Sequence, residues 1–170
     1  MTAGLFLGRF QPFHEGHLEV VREIATQVDK LVIAIGSAQE SHTLEDPFTA
    51  GERHLMISET LDAEGIDNYY LIPIVDINRY SIWVAHVRSL VPPFEMIFTN
   101  NELTARLFSE AGTEVRRTKL YDRDRYSGKK VRELLISCGD WRILVPDGTE
   151  HVIDLIGGEK RLRDLAGGIG

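Results

Sequence analysis

The sequence predicts an α/β fold in which a doubly wound parallel sheet is covered by helices on both faces. Apolar runs of four to six residues, too short for helices, recur along the chain. Between them lie segments whose apolar residues follow the helical period. The chain has 170 residues, of which 43% are hydrophobic and 26% charged, and we expect residues 1–170 to form one domain.

The first three elements establish the alternation of strand and helix. Ala3–Gly8 is an apolar run that ends in glycine, so it predicts a strand. Residues 15–28 carry apolar side chains at helical spacing, and residues 31–35 form a second short apolar run. Strand, helix and strand in succession form the unit from which parallel sheets are built.

The remaining elements continue this pattern. Pro92 and Pro93 end the helix before them, because proline cannot continue a helix. A sheet built in this way is Rossmann-like and binds its ligands at the carboxyl ends of its strands. The predicted strands are 70–75, 96–99 and 114–118, and the predicted helices are 49–64, 81–90, 102–110, 128–137 and 149–156, with a C-terminal helical segment over about 147–166.

Composition excludes several classes of protein. No apolar stretch approaches the ~20 residues that span a bilayer, and no signal peptide opens the chain. The single cysteine, Cys138, cannot form an intramolecular disulfide and is expected to be an inert residue within a helix. We therefore expect a cytoplasmic protein that does not associate with membranes.

One segment departs from the acidic average of the chain. Residues 116–132 hold eight basic and two acidic residues, a local charge of +6, whereas the whole chain carries −7 and the remainder therefore −13. This concentration of charge favours a small multivalent anion as ligand. A solvated basic surface is one alternative. A nucleic-acid-binding module is the other, disfavoured by the net charge and by the lack of aromatic residues other than Tyr121 and Tyr126.

The loop after the first predicted strand carries residues suited to phosphate chemistry. From Gly8 to His17 it reads GRFQPFHEGH, so the next helix begins inside it. Arg9 presents planar donors to phosphate oxygens, and the amides at a helix start attract anions. His14 and His17 lie on one face of the first helical turn. A zinc site is the competing interpretation of paired histidines, but no third ligand is evident nearby in the sequence.

This loop resembles the (H/T)-x-G-H signature of nucleotidyltransferases, which join an adenylyl or cytidylyl group to a phosphate. Over nearly the whole chain, further motifs resemble the archaeal type of nicotinamide-nucleotide adenylyltransferase. That family makes NAD and pyrophosphate from ATP and nicotinamide mononucleotide, a step of NAD biosynthesis. The motifs are GSAQ from Gly36, DPFTAGER from Asp46, WVAH from Trp83 and RYSG from Arg125.

The resemblance implies two groups of binding residues. The first group binds ATP and comprises Gly8, Arg9, Phe10, His14, Gly16, His17, Tyr126, Ser127, Gly128 and Arg132. The catalytic candidates among them are His17, His14, Arg9 and Arg132. The second group binds the mononucleotide and comprises Ser37, Asp76, Trp83, Asn100 and Asn101. Trp83 would stack on the pyridine ring. Core packing of the helix that carries Trp83, helix capping by Asp76, and turn chemistry at Asn100 and Asn101 are the open alternatives.

The late phosphate motif departs from the superfamily pattern. It is often written S-x-T-x-x-R, and here Lys129 occupies the threonine position between Ser127 and Arg132. Lys129 either adds charge at the phosphates or faces solvent. The resemblance also implies Mg²⁺, held mainly by the phosphate oxygens of ATP, and a homo-oligomer, often a hexamer. Another H-x-G-H enzyme, such as a pantetheine-phosphate adenylyltransferase, is the alternative within the superfamily.

Overall fold

The computed structural model describes residues 1–119 and 124–167, and in these ranges a five-stranded parallel sheet lies between two layers of helices. This arrangement confirms the predicted α/β fold. The strands are β1 (Ala3–Gly8), β2 (Lys30–Ile35), β3 (Tyr69–Pro73), β4 (Met96–Phe98) and β5 (Glu114–Arg116). The helices are α1 (Glu15–Ala25), α2 (Ala50–Ala63), α3 (Tyr80–Leu90), α4 (Glu102–Glu110), α5 (Gly128–Ser137), α6 (Asp147–Ile156) and α7 (Gly158–Gly167).

The strands contribute side chains to two hydrophobic cores, one on each face of the sheet. Phe6 and its neighbours on one face of the sheet pack beneath α1, α2, α5, α6 and α7. Leu5 and Val32 point to the other face and pack beneath α3 and α4. Because successive residues of a strand face opposite sides, a strand buried on both sides reads as a continuous apolar run. This is why the central strands were recognisable in the sequence.

The order of the strands places a ligand site beside β1. The sheet runs β3-β2-β1-β4-β5, so the chain moves outward from β1 to β3 and then crosses back to the other side of β1. The direction of winding reverses between β1 and β4, and ligands of such sheets bind outside the carboxyl ends of the strands at this point. The loop that follows Gly8 begins there.

Some element boundaries differ from the predicted ones. The helix predicted to reach residue 28 ends at Ala25, with Thr26 as its C-cap. The strand predicted over 114–118 ends at Arg116, because its single partner β4 pairs only three residues with it. Cys138 is exposed and adopts a left-handed conformation (φ 58°) after the end of α5, so its predicted position within a helix is wrong.

The C-terminal helices are fastened to the start of α2. Arg161 of α7 forms a bidentate ion pair with Glu52, and both nitrogen–oxygen distances are 2.8 Å. Trp141 is buried and donates its indole N–H to Glu159 at 2.9 Å.

Over residues 1–119 and 124–167, no helix has the length and hydropathy needed to cross a bilayer.

Candidate active site

A cavity of about 490 Å³ opens at the carboxyl ends of β1 and β4. Three stretches of chain line it: the loop after β1 with the start of α1, the residues after β4, and the segment that leads into α5. They contribute Gly8, His14, Gly16 and His17; Thr99, Asn100 and Asn101; and Thr118, Lys119, Tyr126, Ser127 and Gly128. The structure thus brings the histidine motif and the late phosphate motif to one cavity.

The two histidines form a reciprocal cap at the start of α1. The backbone N–H of His14 donates to Nδ1 of His17 at 3.1 Å, and the backbone N–H of His17 donates to Nδ1 of His14 at 3.4 Å. Their rings stack with centroids 3.6 Å apart. Because each Nδ1 accepts a hydrogen bond, each neutral ring carries its proton on Nε2. Both side chains therefore retain an Nε2–H donor.

Both imidazoles are neutral near pH 7. Burial, and secondly the positive charge of Arg132, lower the pKa of His14 to about 4. Burial, and secondly the positive charge that His14 carries when it is protonated, hold the pKa of His17 well below its ordinary value. In the free protein these groups therefore act as neutral donors, and a bound polyanion would favour their protonation.

The depressed pKa of His14 predicts a loss of stability in mild acid. The unfolded chain binds a proton at this position below its ordinary pKa of about 6.5, whereas the folded chain does so only near pH 4. His14 therefore contributes its full share to the free energy of unfolding above pH 6.5. This contribution is lost as the pH drops from about 6.5 to 4. Its full size is of order 3 kcal/mol.

Urea denaturation at several pH values between 7 and 4 measures this loss. His14→Asn is the matched variant, because asparagine caps helices well but does not titrate. We expect a clearly smaller fall of stability with pH in His14→Asn than in the native protein. Equal slopes for the two proteins would show that His14 does not resist protonation in the folded state.

The loop after β1 is held by residues from distant parts of the chain. Gln11 exchanges two hydrogen bonds of 2.9 Å with the backbone of Phe48. Arg132 donates to the carbonyl oxygen of Gln11 at 2.8 Å, and Thr149 donates to that of Phe13 at 2.8 Å. The loop is therefore a preformed feature of the fold.

Gly128 allows α5 to approach this loop closely. A Cβ atom at position 128 would lie 2.8 Å from Nη1 of Arg132 and 3.1 Å from the carbonyl oxygen of Gln11. Such distances are below van der Waals contact, so a side chain here would push Arg132 away from its partner. Glycine at this position thus leaves room for the contact between Arg132 and Gln11.

Gly128→Ala is expected to weaken the binding of ATP, the ligand that the resemblance implies for this cavity, about tenfold or more by displacing Arg132, equivalent to at least about 1.4 kcal/mol. Gly51→Ala is the matched control, because Gly51 also lies in the first turn of a helix and its added Cβ would meet no atom closer than 3.9 Å. Steady-state kinetics of both variants test this. Equal KM values for Gly128→Ala and Gly51→Ala would contradict it.

Arg9 and Phe10 follow directly on β1. Arg9 is more than half exposed, and its guanidinium lies 3.4 Å from the carboxylate of Asp46. Phe10 is buried at a positive φ of 53° and packs edge-on against His17, with ring centroids 4.9 Å apart. Phe10 therefore supports the imidazole of His17 from the core side.

Ser37 and Asp76, two predicted mononucleotide ligands, meet at the carboxyl ends of β2 and β3. The hydroxyl of Ser37 donates to Asp76 at 2.7 Å. Gln39 donates to the same carboxylate oxygen at 3.1 Å and accepts the Asp76 backbone N–H at 3.0 Å. Asp76 does not cap α3, whose N-cap is Arg79. Gln39 was missed as a member of this cluster, although it lies in the quoted GSAQ motif.

Trp83 lies apart from the cavity in the first turn of α3. It is half-buried and packs edge-on against Phe108, with ring centroids 5.6 Å apart. It is not among the described residues that line the cavity. The structure therefore gives Trp83 a packing contact, and its contact with a pyridine ring stays a prediction.

Asn100 and Asn101 lie with the predicted ATP residues rather than with Ser37 and Asp76. The amide of Asn100 donates to the carbonyl oxygen of Thr118 at 3.0 Å and accepts the Thr118 N–H at 3.1 Å. Asn101 caps α4 by accepting the Thr104 N–H at 2.9 Å. Both amides thus hydrogen-bond to the backbone, and their contact with a mononucleotide stays a prediction.

The basic segment is not a uniform surface. Arg116 pairs with Glu114 at 2.7 Å, and Arg117 pairs with Glu102 at 3.2 Å. Lys119 lines the cavity, whereas Lys129 is exposed and is not among the described lining residues. Residues 120–123, including Tyr121, lie outside the described ranges. Of these four basic residues in the described part of the chain, Lys119 is the one that lines the cavity.

The fold and this cavity define a nucleotidyltransferase: a parallel sheet with His-x-Gly-His at the carboxyl end of β1, facing a serine-capped helix start. Residues 5–134 match the cytidylyltransferase-like family. The chain is 53% identical over 167 residues to the nicotinamide-nucleotide adenylyltransferase of Archaeoglobus fulgidus, covering 95% of this chain and 96% of that one. It is 51% identical over 166 residues to that of Methanothrix thermoacetophila, covering 98% and 97%. The chain belongs to the nicotinamide-nucleotide adenylyltransferase family.

A solved structure shares the fold at lower sequence identity. It is a bifunctional NMN adenylyltransferase/ADP ribose pyrophosphatase from Francisella tularensis, complexed with AMP and a manganese ion. The TM-score is 0.77 at 22% identity, and the match covers 96% of this chain but only 51% of that one. The present chain therefore spans about half of the bifunctional protein.

Proposed function

We propose that this chain transfers the adenylyl group of ATP to nicotinamide mononucleotide, forming NAD and pyrophosphate. The observation that carries the proposal is the meeting of the histidine motif with the Ser127–Arg132 motif around one cavity. The names and high identity of the archaeal relatives support the choice of substrates over pantetheine phosphate.

The reaction needs alignment and charge stabilisation more than proton transfer. A phosphate oxygen of the mononucleotide attacks the α-phosphorus of ATP, the bond to the bridging oxygen breaks, and pyrophosphate leaves with that electron pair. The attacking phosphate is largely ionised near neutral pH, since the second pKa of a phosphate monoester is about 6. No general base is required, and the protein contributes positioning and electrostatic stabilisation.

Groups that line the cavity and charged groups near it have different roles in this scheme. ATP lies along the wall formed by α1 and α5, where the exposed N–H groups of the α5 start attract the outer phosphates. Arg132 and Arg9 add positive charge, and the Nε2–H of His17 donates to the α-phosphate as its negative charge grows. The mononucleotide lies across β1, beside Ser37 and Asp76, whose carboxylate suits ribose hydroxyls.

Mg²⁺ fits this arrangement as a companion of ATP. The described lining of the cavity contains no carboxylate, the group by which proteins usually bind Mg²⁺. Phosphate oxygens and water would therefore hold the ion, as is usual for Mg²⁺ with nucleotides. Its charge would then add to that of Arg132 and Arg9.

We also infer that the chain forms a homo-oligomer in the cytoplasm. Large apolar side chains that the isolated chain leaves exposed support the oligomer. Tyr80, Ile143 and Leu155 are each more than half exposed. Burial of such residues against other copies would remove apolar area from water. Sedimentation at several protein concentrations would give the oligomeric state.

The function is tested by pyrophosphate release from ATP with a panel of acceptors. We expect release with nicotinamide mononucleotide and none with pantetheine phosphate, and NAD as the product. Nicotinate mononucleotide belongs in the panel, because it differs from the amide only by an acid group. Release that is independent of the mononucleotide, or that prefers pantetheine phosphate, would overturn the assignment.

A further inference from the structure

Arg53 is a fully buried arginine that contacts the backbone on both sides of the active site. It lies in the first turn of α2 and is 0% exposed. Its hydrogen-bond acceptors are backbone carbonyl oxygens from three stretches of chain. They belong to Arg9 (2.9 Å), Gly36 (2.8 Å), Ser37 (3.2 Å), Thr49 (3.2 Å) and Glu40 (3.3 Å).

A buried guanidinium is costly unless hydrogen bonds replace its hydration. Burial lowers the pKa of Arg53, but a guanidinium stays protonated in proteins. Five carbonyl dipoles therefore surround a fixed positive charge. The planar fork of arginine can reach several acceptors in fixed directions, which the point charge of lysine cannot do.

The contacted segments belong to different substrate sites. Arg9 begins the loop at the ATP cavity, whereas Gly36, Ser37 and Glu40 form the loop that carries the Ser37–Asp76 cluster. One side chain thus spans the boundary between the two groups. The Gly36 N–H also donates to the Gly8 carbonyl oxygen at 2.8 Å, so the loops meet at Arg53.

The backbone at these contacts is in a conformation that needs support. Phe10 has a φ of 53° and Ser37 a φ of 46°, each next to or at a carbonyl that Arg53 holds. Non-glycine residues are strained in this region and keep such a conformation where surrounding contacts determine it. The carbonyl bonds of Arg53 supply such contacts on both loops.

We propose that Arg53 is a positioning residue that fixes the ATP loop relative to the Ser37–Asp76 loop. Its effect on catalysis rests on the proposed function: the acceptor oxygen must be held in line with the α-phosphorus, and small misplacements lower the rate steeply. Arg53 itself is buried beneath the loops and acts through their backbone.

Arg53→Lys tests this role, because it keeps a positive charge but loses the planar fork. We expect kcat to fall about thirtyfold or more, with the KM of each substrate changed by less than about threefold, since each loop still binds its own ligand. Arg161→Lys is the matched control: Arg161 also donates to a backbone carbonyl, that of Pro47, but contacts neither loop. The control should lower the melting temperature and leave kcat unchanged.

Hydrogen exchange supplies a readout that does not depend on activity. In Arg53→Lys, amides of residues 9–13 and 36–40 should exchange faster together, while peptides of α6 keep native protection. Arg161→Lys should change neither loop. A native kcat in folded Arg53→Lys, or faster exchange in only one loop, would overturn the positioning role. A wild-type chain that makes no NAD would instead refute the proposed function, and the exchange result would still decide whether Arg53 couples the loops.

Discussion

His17→Ala is expected to lower kcat by a factor of about one hundred or more while the fold stays intact. The Nε2–H of His17 is the donor placed to stabilise charge on the α-phosphate, because Nδ1 already accepts the His14 N–H. Removal of one such donor typically costs about 3 kcal/mol of transition-state stabilisation. The KM for ATP should change much less, since the bond strengthens mainly in the transition state.

The control for this variant must separate chemistry from packing. His17 stacks on Phe13 with ring centroids 5.5 Å apart, so its truncation also removes a packing contact. His54→Ala, at an exposed position in α2, tests the effect of losing a histidine elsewhere. His17→Gln restores an amide donor and should recover part of the lost rate. Unchanged turnover in folded His17→Ala would remove His17 from the mechanism.

The fold was predictable because most of its information is local. β1, α4 and α5 have the predicted bounds, since an apolar run or an amphipathic period specifies each of them without knowledge of its neighbours. The ends of β3 and β5 were not predictable in this way. They depend on how far a partner strand continues, and β4 offers β5 only three residues.

The histidine motif was predictable for the same reason, as a contiguous loop between a strand and a helix. Its cap geometry was not, because histidine is not among the usual N-cap residues. Contacts between Gln11 and Phe48 join residues far apart in sequence, so no local pattern reports them. The sequence pointed to Arg53 only through its place in the DPFTAGER motif. That its side chain is buried became evident only from the structure.

Asn100 shows that a predicted position and a predicted role are separate questions. The sequence placed it at the carboxyl edge of the sheet, where ligands bind, and the structure agrees. Its amide pairs with the backbone of Thr118, a contact between distant residues that no local pattern reports. Its contact with the mononucleotide stays a prediction.

Arg132→Ala should lower kcat/KM for ATP by a factor of about one hundred or more. Arg132 joins the two motifs through the carbonyl oxygen of Gln11, and the proposed mechanism also uses its charge at the outer phosphates. Charge-assisted hydrogen bonds are about twice as strong as neutral ones, and loss of such a contact costs about 3 kcal/mol. Lys130→Ala, an exposed position in the same helix, should keep native kinetics.

Arg132→Lys separates the charge from the geometry. Lysine keeps the positive charge but cannot hold Gln11 and a phosphate at once through a planar fork, so we expect kcat/KM for ATP to fall by an intermediate factor of about ten.

Burial, and secondly the positive charge of Arg132, lower the pKa of His14 to about 4. In Arg132→Ala the pKa of His14 should therefore rise, and in Arg132→Lys it should stay closer to the native value. Titration of the His14 ring by NMR measures this directly. A His14 pKa that is the same in all three proteins would show that the late motif does not act on His14 electrostatically, and that the hydrogen bond from Arg132 to Gln11 joins the two motifs without a charge effect on the histidine.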